Sequence, residues 1–379
     1  TATAAAPLAA RIAAREPLAE RVLASVLQII DPAGAEAQLR VQLDVAVAGG
    51  DHRLAATAAE QLTGLCLAGG RPDEALTYAE DFIDHAERAG LGDWTLLRAQ
   101  VLRLAVRDAQ GQHDIALAEA YRLRARLDGL EPGEDLTDMR EAVLATGRAA
   151  AVRAGRWAEA IELNAALVQG LRDRGVPETD IARARFNDYR PLLRLRQTGP
   201  ALDVLLTCRE VFTEAGDAEG LGKTLGALAS IENGWGDQET AAELQREALR
   251  HSYAAGDAPS VAIGYYNLAS YEPHRPTVTL SRYLASALIF TLAAGPGSAE
   301  AGEAVRRAAA DLREFGAIPP ADVADLCAVV RDIPGTSADR LIAGLARDPG
   351  RADGPEQVLR ALITEAQELA GPPARDPLQ

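Results

Sequence analysis

The sequence predicts an all-α chain, a superhelix of about six stacked helical hairpins, on three observations. The triplet Ala215-Gly216-Asp217 returns at Ala255-Gly256-Asp257 after two apolar-periodic segments joined at Gly236-Asp237, and fixed-period self-similarity of this length marks stacked supersecondary units. Four segments share a glycine five residues before an alanine: Gly70-Arg-Pro-Asp-Glu-Ala75, Gly111-Gln-His-Asp-Ile-Ala116, Gly155-Arg-Trp-Ala-Glu-Ala160 and Gly236-Asp-Gln-Glu-Thr-Ala241. With Ala201 of a fourth hairpin that lacks the glycine, the alanines are 41, 44, 41 and 40 residues apart. Finally, aromatic residues are 4% of the chain and long Val/Ile/Thr alternations are missing, which disfavours strands.

In chain order, residues 1–49 read as an N-terminal cap of two helices, near 8–29 and 34–48, broken at Asp31-Pro32. The solenoid spans 50–294, with hairpins at about 52–89, 93–129, 135–174, 178–215, 218–255 and 258–293. Gly90-Leu-Gly-Asp93, Glu131-Pro-Gly-Glu134 and Gly175-Val-Pro177 connect the earlier ones, and the two Ala-Gly-Asp triplets the later ones. Each turn glycine frees the backbone to reverse, and each alanine lets the second helix pack close to the first. Leu202, Leu205, Leu206 and Val211 illustrate the three-and-four spacing of a buried stripe. After Gly295-Pro-Gly297 four shorter helices are expected at 298–315, 320–332, 337–346 and 355–370, broken at Pro319-Pro320, Pro334-Gly335 and Pro349-Gly350. Residues 295–370 form a C-terminal cap or a small separate helical module, and 371–379 a linker-like tail.

The net charge of −16 argues against nucleic acid and anionic membranes as partners, since both need a basic surface. Cys66, Cys208 and Cys327 are distant from one another, so free buried thiols of a reducing cytosol are expected rather than a disulfide framework or a zinc site. No apolar run approaches the roughly 20 residues that span a bilayer, and a cytoplasmic location follows as the expectation. The chain begins Thr1-Ala2-Thr3 and its single methionine is Met139, so a piece of a longer protein is expected.

The Gly-x4-Ala turns, Trp157 two residues after Gly155, and the triplet Asn267-Leu268-Ala269 resemble the tetratricopeptide repeat over about residues 50–293. The period of 40–44 departs from the usual 34. It is similar to the long-period bacterial arrays of signalling ATPases and transcriptional regulators. The resemblance implies first helices lining a concave groove, second helices forming the convex back, and a protein- or peptide-binding role.

Gly220-Leu-Gly-Lys223-Thr224 imitates a phosphate-binding loop, but that loop needs a glycine where Asp217 stands and a strand before it. His52, His85, His113, His251 and His274 read as scattered and unpaired, without metal-ligand spacing. The carboxylates Glu134, Asp135 and Asp138 fit a helix start. Trp94, Trp157 and Trp235 fit inter-helix packing. No catalytic residue, metal ligand or cofactor is assigned.

One constellation carries binding chemistry. Arg183, Asn187, Arg190 and Arg194 are spaced four, three and four on the first helix of the fourth hairpin, hence on one face. Beside them Ala182, Phe186, Tyr189 and Leu193 form an apolar stripe, and Pro191 is expected to kink the helix. A forty-residue projection maps Arg183 onto Lys223, and Asn187 through Ala227 onto Asn267. The set looks like the carboxylate clamp of peptide-binding tetratricopeptide domains, which implies a partner with an anionic group or free carboxylate, or another domain of the parent chain. The competing reading pairs these cations with acidic neighbours on adjacent helices. Three function classes follow: a non-enzymatic interaction module, a peptide-sensing domain of a regulator or signalling ATPase, and, least favoured, an all-helical enzyme.

Overall fold

The computed structural model describes residues 32–130, 134–295, 297–347 and 354–371, and every regular element among them is helical. The expected helix at 8–29, the residues 131–133, the break at Pro349-Gly350 and residues 372–379 lie outside them, as do the side chains of Glu134 and Asp135. The chain divides into two compact units, residues 1–175 with 194–196, and residues 176–193 with 197–379.

In the first unit, α1 (Pro32–Gly49) precedes three hairpins, α2 (His52–Ala68) with α3 (Pro72–Arg88), α4 (Gly92–Ala109) with α5 (His113–Asp128), and α6 (Glu134–Arg153) with α7 (Trp157–Arg174). The second unit contains α8 (Glu178–Phe186), most of α9 (Tyr189–Arg194), and α10 (Thr198–Ala215). The pair α11 (Ala218–Trp235) and α12 (Gln238–Ala255) follows, then α13 (Ala258–Tyr271) and α14 (Pro276–Ala294). Four more helices complete it: α15 (Ala299–Phe315), α16 (Val323–Val330), α17 (Ala338–Leu345) and α18 (Pro355–Ala370). The hairpins expected from the tetratricopeptide resemblance are therefore present.

The turn chemistry explains the Gly-x4-Ala signature. Gly70, Gly111, Gly155 and Gly236 all have φ between +67° and +89°, a region open to glycine and strained for other residues. The following amide returns to the carbonyl five residues back, as in Arg71 N–H to Cys66 O at 2.8 Å and Arg156 N–H to Ala151 O at 2.8 Å. The five alanines are at most 1% exposed, so a larger side chain would push the hairpin apart. In the fourth hairpin the same position is Arg196, the only non-glycine with positive φ among the described residues, at +60°. Gln197 N–H still donates to Leu192 O at 2.9 Å. The turn geometry therefore persists where its glycine is lost.

The fourth hairpin also corrects an expectation. Its first helix does not kink at Pro191; it breaks. A continuous helix would place the proline ring against the Asn187 carbonyl and leave that carbonyl without a donor. Instead α8 ends at Phe186, and the Asn187 and Asp188 amides close tightly onto the Ala184 and Arg185 carbonyls at 3.2 and 2.9 Å. Pro191 then falls in the first turn of α9, where no amide is needed. Leu206, expected in the buried stripe, is exposed, whereas Leu205 is fully buried.

Close backbone approach recurs within the second unit. A Cβ on Gly220 would lie 2.5 Å from the Phe212 ring, one on Gly222 2.8 Å from Ser252 Oγ, and one on Gly264 2.6 Å from Leu249. The glycines of the Gly-Lys-Thr lure are thus packing residues inside α11, and Thr224 is buried.

The core of this unit runs continuously from α12, α13 and α14 into α15–α18. At its centre α14 is apolar and long enough, by composition, to cross a membrane, contrary to the sequence expectation, and it is largely buried within the protein. It carries Arg282, fully buried, which donates to Glu272 at 2.6 Å and Asp332 at 2.8 Å. Arg246 also pairs with Glu272 at 2.5 Å. Burial alone would raise the Glu272 carboxyl, but the Arg282 hydrogen bond and charge, then Arg246, outweigh it and hold the group below its ordinary value of 4.5.

Two predictions follow from these contacts. Arg196→Gly relieves the left-handed strain, and urea unfolding is expected to show a gain of about 0.5–1 kcal/mol. Because the folded Glu272 carboxyl is depressed, its contribution is present above the unfolded value and lost as pH falls through the lower folded one. Acid titration should therefore show stability declining below pH 4.5, and Glu272→Gln should flatten that slope. The same variant should cost about 2–3 kcal/mol at neutral pH by weakening the environment of a buried guanidinium.

Candidate functional site

The six residues singled out by the sequence do not form one stripe. The break at 187–188 separates Arg183 from Arg190 and Arg194, so the four, three, four spacing no longer defines a helical face. Arg183 donates to Asp180 at 2.8 Å and Asp217 at 2.6 Å. Lys223 pairs with Glu219 at 2.5 Å and approaches Asp257 at 3.9 Å. Asn187 turns its amide back onto the Arg183 and Ala184 carbonyls at 3.0 and 3.1 Å, sealing the end of α8. Asn267 donates to Gln245 at 3.2 Å. Arg194 lies over the Trp157 ring at 5.8 Å. Arg190 meets only its neighbour, with Nε on Tyr189 Oη at 2.8 Å and the guanidinium over the same ring, and has no carboxylate partner among the described residues.

The projected equivalence of Arg183 and Lys223 has a structural meaning. Asp217 and Asp257 cap α11 and α13, each accepting the amide three residues on at 3.0 and 3.1 Å. Each also faces the basic residue 34 positions earlier. Cation and cap thus form rungs between successive first helices. Ion pairs in the first unit join other elements: Arg71, at the start of α3, meets Glu36 of α1 at 2.5 Å, Arg124 of α5 meets Glu162 of α7 at 3.0 Å, and Arg174 of α7 meets Asp138 of α6 at 3.1 Å.

A groove that sequence reasoning missed lies between α4 and α6, first helices of consecutive hairpins in the first unit. It has a volume of about 550 Å³. Trp94, Val101, Leu102 and Met139 supply its apolar surface, with Arg98 and Asp138 among its polar residues. Trp94 is 37% exposed and Trp235 58%, so neither is the packing residue that was expected. Three of the groove's apolar positions, Trp94, Val101 and Ala105, follow a four-and-seven interval that the sequence does contain. The interval reads equally as core until the neighbouring helix is placed.

The histidines also need correction. His52 and His85, expected to be unpaired, meet with Nδ1 to Nδ1 at 3.2 Å and rings 5.2 Å apart between centroids. His113 Nδ1 lies 3.0 Å from Asp108. Glu36, Cys66 and Glu74 place one ligand atom each within 4.8 Å of one another, but Arg71 and Arg40 already hold both carboxylates.

No family model matches the chain, and no curated protein matches it. Among solved structures it is similar to BtubC (BKLC) from P. vanneervenii, at 16% identity over 66% of this chain and 94% of that one, with a TM-score of 0.45. It is similar to the tetratricopeptide repeat domain of P58(IPK), at 16% identity over 92% and 96%, with a TM-score of 0.23. A circular tandem repeat protein aligns at 15% identity over 91% and 96%, with a TM-score of 0.19. The architecture rests on the hairpins themselves, an all-α, tetratricopeptide-like array.

Arg183 itself is exposed, with one exposed partner, Asp180, and one largely buried, Asp217, which keeps its capping bond without the cation, so its loss is a modest surface effect. Arg183→Ala and Lys223→Ala are each expected to lower the unfolding free energy by no more than about 1 kcal/mol, read by denaturant titration with helicity intact.

Proposed function

We propose that this chain is a non-enzymatic protein-interaction module that holds a peptide segment of a partner along its first helices. The observation that supports this reading is the groove between α4 and α6, where an exposed indole and aliphatic side chains stand beside charged groups. Such a surface offers both an apolar anchor and polar groups that fix register. In the second unit, an anionic group or free carboxylate of a peptide falls to Arg190, because Arg183 and Lys223 are engaged with acidic neighbours. The three buried free thiols suit a reducing cytoplasm, and we read the parent as a bacterial regulatory or signalling protein.

The test is selection of displayed random peptides against the chain, followed by affinity measurement on variants. Trp94→Ala should weaken the selected peptides at least tenfold while the far-ultraviolet circular dichroism stays unchanged. Amidating a peptide's C-terminus should mimic Arg190→Ala for those that bind the second unit. Selected peptides that bind Trp94→Ala and Arg190→Ala as tightly as the parent would overturn the reading.

A further inference from the structure

We propose that His52 and His85 form a binding site for a divalent transition-metal ion, of the class of Zn²⁺, completed by Asp84 and water. His52 opens α2 and His85 lies in the last turn of α3, so the hairpin itself brings them together. Their Nδ1 atoms are 3.2 Å apart. Two imidazole ligands at about 2.0–2.1 Å on a tetrahedral ion stand about 3.3–3.4 Å from each other, so the pair already has the bite of a chelate. In the metal-free pair one Nδ1–H donates to the other Nδ1. Binding moves that proton to Nε2 of the same ring, which frees both Nδ1 lone pairs without a change of net charge on the side chains.

The surroundings favour a cation. Asp84 places a carboxylate oxygen 4.0 Å from His85 Nδ1, and it must swing from Arg88 toward His52 to serve as a third ligand. Asp81, one turn before His85, adds a second acidic side chain close to the pair. Arg88 holds Asp84 at 3.1 Å and is the group that a metal displaces. His85 is buried while His52 is half-buried, which leaves one open side for the ion and its water. The other convergent group, Glu36 with Cys66 and Glu74, lacks this freedom, because two guanidiniums occupy its carboxylates and burial raises the Cys66 thiol. Imidazole donors suit Zn²⁺, Cu²⁺ and Ni²⁺, and hard oxygen-seeking ions such as Mg²⁺ are not expected to bind.

The experiment is calorimetric titration of the full chain with Zn²⁺ at pH 7.5, with thermal unfolding as a second readout. One saturable site is expected, together with a rise in Tm on adding metal. His52→Ala should weaken binding at least tenfold and abolish the Tm rise. Asp84→Asn should weaken it several-fold, and Arg88→Ala should leave it equal or tighter. Cys66→Ser should leave it unchanged. His52 is half-buried at a helix start, so its variant is expected to fold, as circular dichroism can verify; His85→Gln serves as the companion substitution. Equal Zn²⁺ affinity for the parent and His52→Ala, loss of binding in Cys66→Ser, or no saturable binding by the parent would each overturn the proposal.

Discussion

Every hairpin in this chain depends on how closely two helices can approach where the backbone reverses. In five of the six hairpins a left-handed residue ends the first helix, its neighbour's amide returns to a carbonyl that would otherwise be unsatisfied, and a buried alanine sits at the contact, whereas α13 ends at Glu272 with φ −121°. These elements are coupled. The positive φ is required by the returning bond, and the alanine is required by the proximity that the bond imposes. Elsewhere the same constraint appears as Gly220, Gly222 and Gly264, where no Cβ fits against the facing helix. The chain's low aromatic content suits this architecture, since small residues set the spacing between elements.

Arg196 shows that the constraint lies in the backbone and not in the glycine as such. The fourth hairpin keeps the left-handed turn and its closing bond although its side chain is among the largest. A neighbouring feature, the break before Pro191, is accommodated in the same hairpin. That region departs from the array in two ways within ten residues, and residues 194–196 within it belong to the first compact unit while those on either side belong to the second.

The repeat was legible in the sequence because its signals are local: a turn residue, an alanine five positions on, and apolar spacing between. Helix ends matched to within a few residues for the same reason. The stripe on the fourth hairpin was drawn along a helix expected to bend at Pro191, whereas the helix breaks there, and a helical face exists only if the helix does. The ion pairs of Arg183 and Lys223 were half legible. Their register was visible, yet the partners, the capping aspartates of the next hairpin, emerge only when helices are stacked. The α4–α6 groove and the His52–His85 pair were illegible, since each joins residues from different helices with no motif between them. Reading for uninterrupted apolar runs passed over α14, whose single charge, Arg282, interrupts the run in sequence without making the helix polar.

Arg282 also ties the assembly of the second unit to the order in which the chain is made. The helix that carries it is the one described helix both long and apolar enough to cross a membrane, and one of its two anionic partners, Asp332, lies fifty residues downstream. While the chain emerges from the ribosome, α14 is complete before that carboxylate exists, and two of the helices that pack on it, α17 and α18, come later still. Until then a guanidinium with half its counter-charge and a broad apolar surface must wait exposed or loosely packed. The terminal helices are therefore more than an end cover. The turn between α16 and α17 supplies the charge that lets the central helix settle, so a chain cut short before Asp332 would leave a long apolar helix with a half-paired guanidinium.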